Sequence, residues 1–350
     1  MLFLQLANTR YPVIKYLKFL LFPFAALYFI VTSIRNFMYD RKILKAHAFD
    51  IPSIAVGNLS VGGTGKTPMI EYLVKLLSLD YEVVCLSRGY GRKTKGFLWV
   101  EAEAKATEVG DEPLLLKQKF KADIAVAVCE DRVLGVQTIL EQIPRPVILL
   151  DDAFQHRSLK AGFYILLTAF QKPYAKDWIL PVGFLREAAR AAQRAHVQVI
   201  TKIPALKLAV VKENPSDYLR YHEHQSIYYT WIEYGEQFLS NTTPIDLKDF
   251  KGKKVAALAG IANPDPFFEH LNQLGLNFER FRFKDHHQFS MEQLKPLKDF
   301  DLVVTTEKDF TRIDDKWDGL CYLEMQQKFH ENEVLFEEQI KDYITSIYST

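Results

Sequence analysis

Apolar residues beyond about residue 46 come mostly in short continuous runs, with stretches of helical spacing between them. Continuous runs of this length are typical of strands that are buried on both faces. The runs that predict such strands are Ile51–Val56, Tyr81–Leu86, Asp123–Val128, Pro146–Leu150, Phe163–Leu167 and His196–Ile200. From Lys66 to Leu77, apolar residues instead recur every three or four positions, which predicts a helix with one buried face. This alternation favours a mainly parallel sheet covered by helices.

The alternation stops between Ala205 and about Lys248. In that stretch the segment SIYYTWIEY (Ser226–Tyr234) predicts an antiparallel or linker strand. A second series of strands and helices follows, with elements expected at Lys253–Gly260, Phe267–Leu274, Phe278–Phe283, Leu302–Thr305 and Glu333–Ile347. We therefore predict an α/β fold with two α/β lobes joined by a β connector, and domains at residues 1–45, 46–205, 206–250 and 251–350.

The N-terminal segment has a different pattern, because the chain carries no charge from Phe19 to Ile34. Spanning a bilayer takes ~20 apolar residues, so this stretch alone is short. Basic residues flank it on both sides, namely Lys15, Lys18, Arg35, Arg41, Lys42 and Lys45, which gives no clear orientation. We predict a membrane-associated helix that either spans marginally or lies in the interface. The alternatives are a buried helix of a soluble domain, or a signal peptide, which Pro23 and the lack of a cleavage site disfavour.

Composition narrows the range of partners and compartments. Forty-four basic and 43 acidic residues give the 350-residue chain a formal net charge of +1, so no global charge favours nucleic acid. The three cysteines are scattered and without a C-x-x-C pair. Cys85 and Cys129 fall in apolar runs, which favours a packing role and a reducing compartment.

The segment GNLSVGGTGKTP (Gly57–Pro68) lies between the first predicted strand of the α/β region and its first helix. Glycines in this context allow backbone N–H groups to surround phosphates, and the helix N-terminus adds its positive dipole end. Lys66 would reach the β- and γ-phosphates, and the Thr67 hydroxyl would bind Mg²⁺. The strict pattern requires glycine at position 60, where this chain has Ser60. The residues expected to bind ATP are Ser60, Val61, Gly62, Gly63, Thr64, Gly65, Lys66 and Thr67.

The segment PVILLDD (Pro146–Asp152) ends an apolar run in two acids. In open α/β sheets, ligands bind beyond the carboxyl ends of the strands. Asp151 is therefore the expected partner of Mg²⁺ through a water molecule, and Asp152 would help to position the metal or the acceptor. A solvated turn that contains two acids is the alternative.

With these motifs placed, the chain resembles the tetraacyldisaccharide 4'-kinase family, the lipid A 4'-kinases. The segments that carry the resemblance, in order, are GNLSVGGTGKTP, SRGYGRK (Ser87–Lys93), VGDEP (Val109–Pro113), DDAFQHR (Asp151–Arg157), LPVGFLRE (Leu180–Glu187), GIANP (Gly260–Pro264), DHHQF (Asp285–Phe289) and TTEKD (Thr305–Asp309). The family's phosphate loop also lacks the first glycine. Ala153, Val182, Phe184 and Ala188 depart from the residues expected there, outside the charged positions.

The resemblance implies residue roles that the pattern alone leaves open. It implies that Asp111 is the catalytic base, although an aspartate just before a predicted helix is also a common N-cap. It implies that His286 positions or tunes Asp111, with Lys66 completing the catalytic set. Residues expected to contact the substrate are Arg88, Tyr90, Arg92, Arg186 and Glu187. Arginines suit this task because their planar fork binds phosphate through two hydrogen bonds.

The function that the resemblance implies is transfer of the γ-phosphate of ATP, with Mg²⁺, to the 4' hydroxyl of a tetraacylated glucosamine disaccharide 1-phosphate. Such an enzyme is a phosphotransferase with an alcohol group as acceptor, placed at the inner membrane with its lobes on the cytoplasmic side. The expected partners are the glycolipid and the membrane surface, not nucleic acid. One rival is a nucleotide-dependent membrane switch, but VITKIP (Val199–Pro204) lacks the aspartate of a guanine-reading element. Another rival is a soluble small-molecule kinase.

Overall fold

The structure, a computed structural model, describes residues 12–241 and 243–349, with side chains from Leu20 onward. Strands in this part of the chain form where the sequence has its apolar runs. They are β1 Ser53–Asn58, β2 Val83–Ser87, β3 Leu98–Trp99, β4 Ala125–Val128, β5 Val147–Asp151, β6 Phe163–Ala169, β7 Val197–Thr201, β8 Ser226–Leu239, β9 Val255–Ala259, β10 Phe278–Arg282, β11 Leu302–Thr306 and β12 Leu320–Phe329. Each predicted strand is present, and β3 and β12 are additional to the prediction.

Helices occupy most of the intervals between the strands. They are α1 Pro12–Asp40, α2 Lys66–Leu77, α3 Ala106–Val109, α4 Asp111–Phe120, α5 Arg132–Gln142, α6 Leu208–Glu213, α7 Asp265–Gln273, α8 Met291–Leu294, α9 Glu307–Arg312 and α10 Glu333–Tyr348. Single turns of 3₁₀ helix lie between some of these elements. The predicted class is confirmed: an α/β fold with a mainly parallel sheet, two lobes, a β connector and an apolar N-terminal helix.

The chain divides into two compact units, each built from separate stretches of sequence. Unit 1 contains residues 1–64, 152–230 and 330–350, and unit 2 contains residues 65–151 and 231–329. Strand β8 begins in unit 1 and ends in unit 2, as a connector would. The domain boundaries at residues 45, 205 and 250 stay a prediction.

Unit 1 contains four strands that pair in the order β1, β6, β7 and β8, and every pair is parallel. In the last of these pairs Val197 faces Ser226 and Ile200 faces Tyr229. The Ser226–Tyr234 segment was expected to be an antiparallel or linker strand; its first residues pair in parallel with β7, and it connects the units. The other neighbour of β8 in the sheet order is β12.

The core of unit 1 forms around the residues that follow β1 and β5. Phe154, Leu166, Ile200 and Leu219 pack together, and Tyr174 is buried among them. The Tyr174 hydroxyl donates to Gln198 Oε1 at 2.6 Å, so its polar atom is satisfied within the core. Leu59, the residue that follows β1, belongs to the same core.

Unit 2 contains two groups of paired strands. In the first, β2 lies between β4 and β5 in parallel pairing, and the short β3 is antiparallel to β4. In the second, β9 lies between β10 and β11, and β11 also pairs with β12, all in parallel. Successive residues of β9 and β11 enter two different apolar clusters, one on each face of the sheet. Burial on both faces explains why these strands are continuous apolar runs.

Helix α1 is apolar on a face that the rest of unit 1 does not cover. From Leu20 to Asp40 it is long and apolar enough, by length and composition alone, to cross a membrane. The exposed apolar side chains recur every three or four residues, at Leu20, Phe24, Leu27, Val31 and Ile34. Residues 1–11, with which the predicted anchor begins, lie outside the described residues.

A buried ammonium group connects four elements of unit 2. Lys119 Nζ of α4 lies 2.9 Å from Glu71 Oε2 of α2, 2.8 Å from Glu307 Oε1 of α9 and 3.2 Å from Glu324 Oε1 of β12. Burial raises the pKa of Glu71 from 4.5 to about 7, although the Lys119 ammonium acts to lower it. Burial likewise raises the pKa of Glu307, so Glu71 and Glu307 retain a proton more readily than isolated acids.

The pKa of Glu71 predicts how stability depends on pH. Because the folded-state pKa is above the unfolded value, the contribution of Glu71 is fully present below pH 4.5 and is lost as the pH rises through about 7. The loss is on the order of 3 kcal/mol, at ~1.4 kcal/mol per pKa unit. We expect Glu71→Gln to remove this part of the pH dependence in urea unfolding measured at several pH values. Glu82→Gln, an exposed acid of the same unit, is the control and should leave the slope unchanged.

Candidate active site

The predicted phosphate loop leaves β1 and enters α2, the context that the sequence analysis required. Four contacts within unit 1 shape its first part. The Val61 N–H donates to the Phe184 carbonyl at 2.8 Å, and Asn58 Nδ2 donates to Thr64 Oγ1 at 2.7 Å. From the end of β7, Thr201 Oγ1 donates to the Thr64 carbonyl and Lys202 Nζ donates to the Gly63 carbonyl, both at 2.8 Å. The loop is therefore shaped before any ligand binds.

Lys66 and Thr67 are the first two residues of α2, and both are half-buried. The first N–H groups of a helix have no acceptor within the helix, and they carry the positive end of its dipole. A lysine and a hydroxyl at this end of a helix are suited to bind the phosphates of ATP and the Mg²⁺ ion that accompanies them. Their roles as nucleotide and metal ligands stay predictions.

The two acids after the Val147–Leu150 run have different surroundings. Asp151 ends β5 in unit 2, and its buried carboxylate accepts from the Ser87 hydroxyl at 3.4 Å. Asp152 belongs to unit 1, where both carboxylate oxygens accept from Arg186 Nη1, at 3.0 and 2.9 Å. Mg²⁺ prefers oxygen ligands such as the Thr67 hydroxyl and the Asp151 carboxylate, so the residues present fit this ion. Asp152 is already paired with an arginine, and its metal role stays a prediction.

Glu187 is a buried acceptor of several hydrogen bonds within unit 1. Arg194 donates to it through both terminal nitrogens, at 2.7 and 3.0 Å. Gln155 donates at 3.0 Å, and Asn36 of α1 donates at 2.8 Å. Glu187 therefore connects α1 with Gln155 and Arg194 of the same unit. Its substrate contact stays a prediction.

The SRGYGRK segment contains one arginine that points inward. The Arg92 guanidinium is 2% exposed, and it donates to Glu130 at 2.8 Å and to the Gly96 carbonyl at 2.6 Å. Arg88 and Tyr90 are exposed instead. The tilted Tyr90 ring lies 5.5 Å from the His286 ring, measured between centroids. Of this segment, Tyr90 is thus the residue placed beside the predicted catalytic pair.

A close approach of two glycines brings this segment to Asp111. Gly89 has φ +70° and Gly110 has φ +94°, values that favour glycine. A Cβ on Gly110 would lie 3.0 Å from Gly89 Cα, and one on Gly89 would lie 2.8 Å from the Val109 carbonyl oxygen. The SRGYGRK turn and the residue before Asp111 therefore pack backbone to backbone.

Asp111 begins α4, and its carboxylate is buried. His286 Nδ1 lies 2.9 Å from Asp111 Oδ2, so the structure brings together the acid and the histidine that the resemblance implied. Arg312 Nε, from the end of α9, donates to the same oxygen at 2.7 Å. Burial acts to raise the pKa of Asp111, but the hydrogen bond from His286 and the Arg312 guanidinium outweigh it and hold the pKa below its usual value. The carboxylate is thus ionised and able to accept a proton.

Arg312 is the site residue that sequence reasoning missed. It lies three residues after Asp309, the last residue of the TTEKD segment, and no local pattern distinguishes it from a surface arginine. Its ion pair with buried Asp309, at 3.0 Å, is visible only in the structure.

Asp111, Glu112 and His286 each offer a ligand atom within 4.8 Å of the others, a spacing that could suit a metal ion. Two protein cations already neutralise the acids, however. Arg312 pairs with Asp111 at 2.7 Å, and Lys308 pairs with Glu112 at 2.5 Å. We therefore interpret the group as an ion-pair network.

Comparison with known proteins agrees with this arrangement. The family model described as tetraacyldisaccharide-1-P 4'-kinase matches residues 17–345. A tetraacyldisaccharide 4'-kinase of Flavobacterium psychrophilum is 43% identical over 95% of this chain and 98% of that protein. One of Flavobacterium johnsoniae is 44% identical over 94% of this chain and 97% of that protein.

A solved structure is similar over the same length. The crystal structure of LpxK from Aquifex aeolicus in complex with ATP has a TM-score of 0.76 and 30% sequence identity, and the match covers 94% of this chain and 99% of that one. The family match includes every segment on which the site was built. This chain therefore belongs to the tetraacyldisaccharide-1-P 4'-kinase family.

Proposed function

We propose that this chain transfers the γ-phosphate of ATP to the 4' hydroxyl of a tetraacylated glucosamine disaccharide 1-phosphate, a step in lipid A biosynthesis. The observation that carries the proposal is the extent of the family match, residues 17–345. It includes the phosphate loop, the Asp111 segment and the His286 segment in one chain. The rival reading as a nucleotide-dependent switch is not favoured, because the curated relatives are named kinases.

ATP would bind at the loop between β1 and α2. The similar solved chain is in complex with ATP, which supports this assignment. Lys66 would contact the β- and γ-phosphates, with the loop backbone around them. Thr67 and Asp151 would hold Mg²⁺, which neutralises charge on the phosphates when it is bound.

Asp111 would act as the general base. In the transfer, the acceptor oxygen forms a bond to the γ-phosphorus, the bond from that phosphorus to the leaving ADP oxygen breaks, and the hydroxyl proton passes to Asp111. The lowered pKa of Asp111 supports this role, because the base must be ionised before it accepts the proton. His286 would orient the carboxylate through its 2.9 Å contact.

For the membrane, we favour a helix that lies in the interface over one that spans. The Tyr28 hydroxyl donates to the Arg186 carbonyl at 2.9 Å, and Asn36 donates to Glu187 at 2.8 Å. Phe22 also packs edge-on against Trp178, with the ring centroids 5.5 Å apart. A helix attached to its own unit along this length keeps a single apolar face for lipid. Because ATP is supplied in the cytosol, we place the enzyme at the cytoplasmic side of the inner membrane.

Transfer of phosphate from radiolabelled ATP tests the proposed function directly. We expect labelling of a tetraacylated disaccharide 1-phosphate in mixed micelles and much weaker labelling of its deacylated form. Lys66→Ala should reduce turnover on the order of 10²–10³-fold, because it removes a cation from the transferring phosphate. Lys75→Ala, an exposed lysine of the same helix, is the matched control. Equal labelling of the deacylated sugar would instead favour a soluble sugar kinase.

The pairing of Asp111 with His286 predicts non-additive kinetics. Asp111→Asn should reduce kcat on the order of 10²–10⁴-fold with little change in ATP affinity, since a base acts in the transition state. His286→Ala should cost much less in the Asp111→Asn background than in the native enzyme. Steady-state rates of the two single variants and the double variant check this. Independent effects would refute the pairing.

The exposed face of α1 predicts the strength of membrane binding. Replacing Leu27, Val31 and Ile34 together by serine should weaken partitioning into anionic vesicles by more than tenfold, because each buried apolar side chain contributes about 1.5–3 kcal/mol. Sedimentation with vesicles measures this. Leu206→Ser combined with Val210→Ser removes exposed apolar side chains elsewhere in unit 1 and should not change partitioning. Unchanged binding of the α1 variant would exclude this face as the lipid contact.

A further inference from the structure

Arg312 is a fully buried arginine that the proposed transfer step does not use. Its side chain is 0% exposed. Nε donates to Asp111 Oδ2 at 2.7 Å, while Nη1 donates to Asp309 Oδ1 and to the Gly260 carbonyl, both at 3.0 Å. Removing a guanidinium from water costs free energy, so we ask what its burial beside one carboxylate oxygen contributes to the site.

His286 lies beside both Asp111 and this guanidinium. Nδ1 of His286 lies 2.9 Å from Asp111 Oδ2 and 3.1 Å from Arg312 Nη2. Arginine only donates, so Nδ1 can accept from Arg312 or donate to Asp111, but it cannot do both. A lone pair on Nδ1 would face an ionised carboxylate oxygen, which is repulsive. The proton is therefore favoured on Nδ1, and His286 donates to Asp111.

Both hydrogen bonds that the Asp111 side chain makes among the described residues thus go to Oδ2. This leaves Oδ1 as the oxygen for an incoming hydroxyl. A carboxylate fixed at one oxygen by two donors cannot rotate freely, so the direction of Oδ1 is fixed as well.

The orientation of Arg312 is itself fixed by the GIANP and TTEKD segments, which have no role in the proposed transfer step. Asp309 Oδ2 accepts from the Gly260 N–H at 2.8 Å and from Thr306 Oγ1 at 2.7 Å. Asp309 then holds Arg312 through its other oxygen. The GIANP and TTEKD segments therefore act together to aim one guanidinium at Asp111.

We propose that Arg312 is the positioning residue for Asp111: its guanidinium, together with His286, holds Oδ2 and leaves Oδ1 directed at the acceptor hydroxyl. This inference rests on the proposed base role of Asp111. Lysine cannot replace the arginine, because a single ammonium does not present nitrogens to Asp111, Asp309 and Gly260 in a planar fork.

The inference also gives a sign for the pH dependence. The charged and titratable groups around Asp111 are Glu112 with its partner Lys308, His286 with Asp285, Asp309, Tyr90 and Arg312. The Arg312 guanidinium lowers the pKa of Asp111. Its removal raises that pKa, so the acid limb of the kcat/KM profile moves to higher pH.

The test compares Arg312→Gln, Arg312→Lys and the control Arg282→Gln in the full chain, with the acylated disaccharide as acceptor. Arg282 forms an exposed ion pair in the same unit, so its loss controls for removing an arginine. We expect Arg312→Gln to lower kcat on the order of 10²-fold, to shift the acid limb upward and to leave KM for ATP unchanged. Millimolar guanidinium, but not sodium at equal ionic strength, should restore part of kcat. Arg282→Gln should behave as the native enzyme.

Arg312→Lys separates charge from geometry, and it serves as the decisive variant if Arg312→Gln does not fold. With the cation retained, the acid limb should stay near its native position, while kcat falls because Oδ2 is no longer held. Native kcat in Arg312→Lys, or a native acid limb and native kcat in folded Arg312→Gln, would overturn the inference. Full activity of Asp111→Asn would instead refute the base role, and so the proposed mechanism, whatever Arg312 does.

Discussion

The ammonium group of Lys119 lies among three carboxylates, and these ion pairs fix the relative positions of several helices of unit 2. Glu71 belongs to the helix that begins with Lys66, and Lys119 belongs to the helix that begins with Asp111. Glu307 begins the short helix that ends with Arg312. One cation thus connects the helices that carry Lys66, Asp111 and Arg312, the proposed phosphate ligand, base and positioning residue. Because loss of the cation would leave buried acids uncompensated, these helices are held to one arrangement.

The same logic recurs closer to Asp111. Its carboxylate is buried, and burial alone would favour the protonated form, which cannot act as a base. Hydrogen bonds from His286 and Arg312 reverse this preference. Asp309 completes the arrangement by holding Arg312 from behind. Asp111 pairs with Arg312, and Arg312 pairs with Asp309, so the ionisation of Asp111 depends in part on a residue that does not touch it.

Much of the fold could be predicted from the sequence, because strands buried on both faces appear as continuous apolar runs. Helix α2 begins and ends at the predicted residues, Lys66 and Leu77. Strand β12 was missed because its segment contains Glu324, Gln327 and Lys328, which hide the period of a strand. The parallel pairing of β8 with β7 could not be predicted, since the direction of a pair depends on both strands and not on the residues of one.

The site was predictable to a different degree. Phosphate-loop spacing and the acids after β5 followed from local pattern, whereas the Asp111–His286 contact followed only from resemblance, since the two residues are 175 positions apart. Arg312 lies 201 positions from Asp111 and has no spacing signal at all. The inward orientation of Arg92 toward Glu130 could not be read from its motif either, and its substrate contact stays a prediction.

The backbone contact between Gly89 and Gly110 has a consequence for how this family can vary. Each glycine has a positive φ, which residues with a side chain disfavour. A Cβ added to either glycine would also clash with the segment that contains the other. A methyl group at either position cannot be accommodated by moving a side chain alone, because main-chain atoms of the facing segment also lie within about 3 Å. A substitution at one glycine therefore cannot be offset by a substitution at the other. Either glycine can be replaced only if the turn that carries Tyr90 and the helix that begins with Asp111 move apart. Sequences that diverge elsewhere should retain this pair, or should have rebuilt both segments at once.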